Sequence, residues 1–305
     1  MDVVIIGSGA VGGYYGGRLA VAGHRVFFTA RGRTLEALRA KGLQATSIDG
    51  DFSISAVEAG SRPPDRPADA VIIAVKAYDT AAILDIAAPA VGNATTILSL
   101  QNGLENEPLL MERFGSEKVI GGLCYIGAEM TEPGRIRHVA DGQVIIGEWM
   151  GRSSPRCERI RGAFEKAGIR VKIAESIQTR LWGKLLWNTA FNSACALARA
   201  DVGVLLDNLY TRRLLEAVMR EVDTAAAVHG VTLGEKVIQS TLDHSNRELR
   251  AVRPSMLQDL LRGRRIEHEA FTGAVERFGR QHGFPTPVCS SLHALLDVLD
   301  RGLSR

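Results

Sequence analysis

Short, mainly apolar runs punctuate the first third of the chain: Val3 to Ile6, Arg25 to Thr29, Val71 to Val75 and Thr95 to Leu100. Runs of that length without polar alternation fit strands buried on both faces. Helical patterns lie between them, which predicts a parallel sheet wrapped by helices. A weaker stretch, Leu43 to Val57, predicts one or two edge strands, and residues 61–67 (SRPPDRP) predict a surface loop. From Val119 the pattern changes. Runs at Val119 to Ala128, Arg135 to Val139 and Gln143 to Glu148 are separated by the turn signals Pro133-Gly134 and Asp141-Gly142. They read as antiparallel strands closing the sheet. A helix over about Pro155 to Ala167 and a strand over Arg170 to Ala174 complete this part.

Strand signals then stop near Ser176. Helical patterns follow at Ile177 to Ala200, Tyr210 to His229, Gly234 to Arg247, Ser255 to Arg262, Ile266 to His282 and Pro287 to Leu303. The expectation is an α/β N-terminal domain over residues 1–175, followed by an all-α C-terminal domain over residues 176–305.

Composition narrows the picture mainly by exclusion. The chain has 305 residues, 46% hydrophobic and 23% charged, with a formal net charge of +3, as in ordinary globular enzymes. So small an excess of positive charge points to neither a nucleic-acid nor a membrane-surface partner. Cys124, Cys157, Cys195 and Cys289 form no CxxC pair. A zinc site or disulfide framework is therefore not expected, and no metal is called for. With no targeting signal after Met1-Asp2 and no run long enough to cross a bilayer, a cytoplasmic protein is expected.

Chemistry begins at Gly7-Ser8-Gly9-Ala10-Val11-Gly12. This GxGxxG follows an apolar strand directly and opens a helix, the context in which the pattern has a mechanism. Gly7 would make the tight turn, Gly9 would let backbone approach a pyrophosphate, and Gly12 would allow helix and strand to pack closely. The helix N-terminus would supply N–H donors and positive dipole to the phosphates. The predicted class is thus Rossmann-type. Many NAD enzymes place an acid after the second strand to hold the ribose hydroxyls. Here Thr29-Ala30-Arg31-Gly32-Arg33 follows, with no acid before Glu36. An arginine suits a 2′-phosphate, so NADP(H) is the expected cofactor, with Arg31 as its main contact and Arg33 as helper. The alternative is a pair of solvated arginines. Lys76 and Asn102 follow the third and fourth strong strands, where such sheets bind ligands. Lys76 is placed for cofactor phosphate, ribose or an acidic substrate, and Asn102 for cofactor or substrate. An Asn-Gly turn and a solvated lysine are the plainer readings.

The stretch RLWGKLLWNTAFNSACALAR is apolar nearly all round, so its helix should be buried. Yet Lys184, Asn188 and Asn192 recur at four-residue steps and share one face. One lysine backed by two amides suits the wall of a polar cleft; buried polar groups capping nearby backbone are the alternative. Reducing a ketone by hydride builds negative charge on the carbonyl oxygen, which an ammonium stabilises and then protonates. Lys184 is the candidate general acid, with Asn188 and Asn192 as orienting donors.

GSGAVG at the start, Arg31, VKAY around Lys76, QNGL around Asn102, LWGKLLWN around Lys184 and SMLQDLLRGRRIEHE from Ser255 to Glu269 together resemble the ketopantoate reductases (2-dehydropantoate 2-reductases) over essentially the whole chain. The resemblance implies a Rossmann domain and a helical domain with the active site between them. It implies hydride transfer from NADPH to C2 of 2-dehydropantoate, giving (R)-pantoate for pantothenate synthesis. Carried over by position, it makes Lys184 the general acid and Glu267 an acid that orients lysine and substrate. Asn102, Asn188, Asn192 and Ser255 become substrate-binding positions, and Lys76 lies near cofactor and substrate. Unaided by the resemblance, Glu267 among Arg264, Arg265, His268 and Glu269 reads as a solvated charged turn. One departure stands out: Asp201-Val202-Gly203 occupies the place of Pro-Asn-Gly in that family, with Val202 at a substrate-contacting asparagine. Two alternatives accompany this reading: an NADPH reductase of another 2-oxo acid or carbonyl, and a non-catalytic NADP-binding regulator. Apolar faces on the helical domain suffice for a homodimer.

Overall fold

The computed structural model describes residues 1–151 and 153–303. They form two compact units. The first comprises Met1–Asn102 and Asn106–Ile177; the second comprises Gly103–Glu105 and the chain from Gln178 onward. The first is a mixed sheet flanked by helices and the second is helical, an α/β Rossmann-type part followed by an all-α part. Among the described residues no helix is long and apolar enough to cross a membrane.

The first unit runs β1 (Asp2–Ile6), α1 (Ala10–Val21), β2 (Arg25–Thr29), α2 (Gly32–Lys41), β3 (Leu43–Ser47), β4 (Phe52–Ile54), β5 (Glu58–Gly60), β6 (Ala70–Ile73), α3 (Thr80–Ala87), β7 (Thr96–Ser99), α4 (Asn106–Phe114), β8 (Val119–Glu132), β9 (Arg135–Glu148), α5 (Pro155–Lys166) and β10 (Val171–Ile173). Strand order is β4-β3-β9-β8-β7-β6-β1-β2-β5, with β10 also paired to β9. The centre, β2-β1-β6-β7-β8, is parallel. Its apolar runs are buried on both faces because successive side chains point to opposite sides. Val3, Ile5, Ala70, Ile72 and Leu98 join one core with α1 and α5. Val4, Ile6, Val71, Ile73 and Ile97 join another with α3 and α4.

Helix α1 carries Gly12, Gly13, Gly16 and Gly17, all buried. A Cβ on Gly16 would lie 2.7 Å from Phe28, and one on Gly12 2.9 Å from Ile5, both in the central strands. A Cβ on Gly13 would lie 2.6 Å from Ile136 of β9, and one on Gly17 2.5 Å from Phe52 of β4. The sheet therefore curls round α1 and grips it from two sides. Each glycine costs about 1 kcal/mol of helix propensity against alanine, and close packing on both flanks overrides that cost.

This curl corrects two expectations. The stretch Leu43 to Val57 does supply strands, but β3 crosses to the far end of the sheet and pairs with β9, while only β4 lies at an edge. The expected turn at Asp141-Gly142 is a bulge inside one 14-residue strand, β9. Asp141 (φ 58°) pairs with Ile126 and Gln143 with Tyr125, so Gly142 (φ 106°) has no opposite residue. The extra residue bends β9, whose two halves then pair with β3 and β10.

The second unit contains α6 (Ile177–Trp187), which starts at the last residue of the first unit, then α7 (Ser193–Ala198), α8 (Val202–Asp207), α9 (Leu209–Val228), α10 (Glu235–Glu248), α11 (Ser255–Leu261), α12 (Thr272–His282) and α13 (Pro287–Leu303). The single helix expected from Ile177 to Ala200 is interrupted: Asn188–Asn192 forms a π turn between α6 and α7. The helix expected from Ile266 begins at Thr272, after a 3-10 turn at His268–Ala270. Val218, Met219, Val222, Ala225 and Ala226 of α9 are fully buried at the centre. The Glu221 carboxylate accepts the Val288 and Cys289 N–H groups, both at 2.8 Å, and so caps α13.

Two glycine substitutions separate close packing from helix propensity. In Gly12→Ala the added methyl would lie 2.2 Å from the Gly7 carbonyl oxygen, backbone that cannot rotate away. Overpacking of this kind costs about 1–3 kcal/mol, more than the propensity gained, so thermal and urea midpoints should fall. Gly162→Ala, at an exposed helical position with open space around it, should raise stability by about 1 kcal/mol. Equal shifts in the two variants would contradict the assigned packing.

Candidate active site

Beyond the carboxyl ends of β1, β2 and β6 the first unit holds a groove. Its lining includes Gly7, Ser8, Gly9, Thr29, Arg31 and Asp79. Gly7 has φ +98°, and a Cβ there would lie 2.6 Å from the Val75 side chain and 2.8 Å from its backbone nitrogen. Only glycine turns the chain this tightly here. Thr29 locks the turn: its hydroxyl accepts the Gly7 N–H at 3.1 Å and donates to the Ile5 carbonyl at 2.9 Å. Its carbonyl accepts the Ser8 N–H at 3.0 Å and the Ser8 hydroxyl at 2.8 Å. Ser8 therefore reaches the groove with its hydroxyl already engaged, and Val11 packs partly into the core.

Gly9 is the N-cap of α1, and its Cβ direction is open. No side chain caps this helix and its first turn holds no acid. The first-turn N–H groups, including those of Ala10, Val11 and Gly12, thus have no side-chain competitor. A pyrophosphate fits that end by donor geometry and by sign of charge. Arg31, exposed, is the N-cap of α2 and lines the same groove, and Arg33 follows in the first turn, also exposed. Sequence reasoning missed Thr29, Thr34, Ser61, Asp79 and Met130, which the curl and the strand ends bring to the groove. Residues so far apart along the chain share no local pattern.

Lys76 is half-buried at the N-cap of the 3-10 turn Ala77–Asp79, just past β6. Asn102 is half-buried just past β7. Its carbonyl accepts the Asn106 side-chain amide at 2.8 Å.

The second unit brings together the residues of the polar stripe. Lys184 is half-buried on α6, and Asn188 and Asn192 are buried at the two ends of the π turn. Asn192 Nδ2 donates to Asn188 Oδ1 at 3.1 Å. Asn192 Oδ1 accepts the Met256 N–H at 3.0 Å and the Ser255 hydroxyl at 3.4 Å. Asn192 thereby joins the π turn to the start of α11. Ser255 itself is exposed. Val202 is fully buried in the first turn of α8, with its N–H on the Val252 carbonyl at 3.2 Å.

Glu267 departs from its appearance in sequence. It is buried, only 5% exposed, rather than part of a solvated turn. Asp300 fixes the approach to it by accepting the Ile266 N–H at 2.7 Å. Next to it, His268 Nδ1 lies 3.2 Å from His293 Nδ1. The Glu269 carboxylate is 2.6 Å from Arg277, which also holds Glu105 at 2.6 Å. Burial pushes the Glu269 carboxyl up, but Arg277 and His293 outweigh it and hold the group below its usual range. All four cysteines are buried thiols, and burial pushes Cys195, on α7, up to about 12. A thiolate nucleophile is thus foreign to this helix.

A glycine turn at a strand end, an uncapped helix N-terminus and Arg31 just past the second strand mark the class as a dinucleotide-binding, Rossmann-type protein. Two family models then match in tandem, "Ketopantoate reductase PanE/ApbA" over residues 3–151 and "Ketopantoate reductase PanE/ApbA C terminal" over residues 176–300. The 2-dehydropantoate 2-reductase of Halobacterium salinarum is 34% identical, over 99% of each chain. The crystal structure of 2-dehydropantoate 2-reductase from Geobacter metallireducens superposes with a TM-score of 0.91 at 32% identity, covering 97% of this chain and 99% of that one. The chain belongs to the ketopantoate reductase family and is a nicotinamide-dependent reductase. A D-mandelate dehydrogenase with bound NADH and anilino(oxo)acetate shares the fold, with a TM-score of 0.93 at 21% identity and full coverage of both chains.

His268 gives the second unit a pH dependence. Burial first, then His293, lowers its pKa from 6.5, against the opposing pull of Glu269, Asp300 and Asp297. A histidine depressed in the folded state adds stability above its unfolded pKa, and that stability is lost as pH falls through the folded value. The melting temperature should therefore drop as pH is lowered from 7.5 to 5.5, with a shallower slope in His268→Asn. Some slope should remain, because burial also lowers His24. Identical slopes would remove His268 from the account.

Proposed function

We propose that this reductase converts 2-dehydropantoate to (R)-pantoate with NADPH, in the route to pantothenate. The observation that carries the reading is the near-full-length match to ketopantoate reductases, with Lys184 and Glu267 both present in the helical part. When bound, the nicotinamide supplies the hydride that reduces the C2 ketone. Lys184 stabilises the negative charge developing on the ketone oxygen and delivers the proton that makes it a hydroxyl. Glu267, a buried acid, orients the Lys184 ammonium and the substrate. Asn188, Asn192 and Ser255 bind substrate, with Asn192 holding the other two in register through its amide. Lys76 and Asn102 serve cofactor and substrate. The turn Gly7 to Gly12 takes the pyrophosphate, and Arg31 takes the 2′-phosphate. The enzyme works in the cytoplasm, and its helical part provides the face for a homodimer.

A second reading has one observation in its favour. Val202 is buried and apolar where the family resemblance puts a substrate-contacting asparagine, which favours a different 2-oxo acid as acceptor. NADPH oxidation with ketopantoate and with a panel of 2-oxo acids separates the two. Ketopantoate should give the highest kcat/KM, and no turnover at millimolar concentration would reject the first reading. Lys184→Ala should lower kcat by about 10²–10⁴-fold with the preferred acceptor; an unchanged kcat would remove Lys184 as the acid.

Cofactor choice has its own test. Charge-assisted hydrogen bonds contribute about 1.5–3 kcal/mol each. Arg31→Ala should thus raise the KM for NADPH about tenfold to hundredfold and leave that for NADH nearly unchanged. Parallel changes for both cofactors would reject the 2′-phosphate role.

A further inference from the structure

Between the ends of β6 and β7 lies a row of buried polar side chains that the chemistry above does not use. Ser99, Thr80, Gln101 and Asn106 are each at most 4% exposed. Their hydrogen bonds run in one direction. The Ser99 hydroxyl donates to Gln101 Oε1 at 3.3 Å, and Gln101 Nε2 donates to the Thr80 hydroxyl at 2.7 Å. That hydroxyl has one proton, and it goes to Asn106 Oδ1 at 2.8 Å. Asn106 Nδ2 then donates to the Asn102 carbonyl at 2.8 Å. The Asn102 carbonyl fixes the direction of the row, because Asn106 turned over would set its Oδ1 against that carbonyl, acceptor against acceptor, and Gln101 turned over would do the same at the Thr80 oxygen.

The row joins two loops. Thr80 is the first residue of α3 and closes the turn that opens at Lys76, where the Asp79 N–H meets the Lys76 carbonyl at 2.9 Å. Asn106 is the first residue of α4 and closes the loop that carries Asn102. A core site of this size would be filled more cheaply by apolar side chains, since each buried polar group must find a partner. Here the polar groups hold in place the peptide of a residue read as part of the site.

We propose that Thr80 is a positioning residue for the reaction. Through Gln101 and Asn106 it holds the Asn102 peptide against the turn bearing Lys76, so both groups keep the spacing that the nicotinamide end of the cofactor and the substrate require. This rests on the reading of Asn102 and Lys76 given above.

A mutant cycle with Thr80→Val, Asn102→Ala and the double variant tests it, read by NADPH fluorescence for the Kd and by steady-state turnover. Valine keeps the shape and removes the hydroxyl. Each single change should weaken NADPH binding or kcat/KM about tenfold, the scale on which small misplacements act. The double variant should lose clearly less than the product of the two single losses, because part of what Thr80 does is exerted through Asn102. Thr80→Ser, which retains the hydroxyl, should restore both readouts. Losses that multiply, or a Thr80→Val enzyme equal to wild type, would overturn the positioning role while leaving Asn102 in the site. An Asn102→Ala enzyme with unchanged binding and turnover would instead overturn the reading of the site, and the proposal with it. Should Thr80→Val not fold, Gln101→Met breaks the same row from its other side and enters the same cycle.

Discussion

The grip of a curled sheet on one glycine-bearing helix governs the first unit. Helix α1 lies close enough to β1 and β2 on one side, and to β9 and β4 on the other, that ordinary side chains at Gly12, Gly13, Gly16 and Gly17 would meet neighbours at under 3 Å. That fit leaves α1 little freedom to slide or rotate, because packed interiors resist small displacements. Its uncapped N-terminus is therefore held at the end of β1, beside the Gly7 turn that Thr29 locks. An anion site made of backbone N–H groups is only as well placed as the helix that carries it. The placing of those N–H groups is thus a packing matter, set by the fit of α1 against the sheet.

The second unit relies on a different device, the satisfaction of buried polar groups. Asn188 and Asn192 lie in a helix otherwise lined by Leu181, Leu185, Leu186 and Phe191, all nearly inaccessible. Amides in such surroundings are costly unless paired. The π turn brings them within hydrogen-bonding distance, and Asn192 passes the connection on to the start of α11. Asp300 does the same for the segment leading to Glu267. Of the two interpretations of a polar stripe on a buried helix, the hydrogen bonds of Asn192 make it a backbone anchor, and by being one it sets where Asn188 and the start of α11 stand.

Much of the first unit was legible along the chain because its signals are local. Mainly apolar runs of four or five residues mark strands buried on both faces, and a GxGxxG between such a strand and a helix has one simple geometric solution. Where β3 and β4 go was not legible. β3 pairs with β9 through contacts made nearly a hundred residues later, and β4 follows it by pairing with β3; a strand's own residues do not name its neighbour. Asp141-Gly142 carried a true signal for left-handed backbone, but a bulge and a turn use the same residues. Glu267 was hidden for a related reason: charged neighbours in sequence suggest solvent, whereas burial is decided by what packs over the residue.

The sequence by itself determined the α/β-then-α order, the glycine turn at the end of β1, the arginine after the second strand and the spacing of Lys184, Asn188 and Asn192. Each depends on residues within a few positions of one another, where periodicity and turn chemistry suffice. Only the tertiary structure decided that the sheet curls round α1, that Thr29 clasps the glycine turn, that Asn192 joins a π turn to α11, that Glu267 is buried, and that Thr80, Gln101 and Asn106 form one directed row. Those facts depend on which distant groups share a low-dielectric interior, where every donor must meet an acceptor.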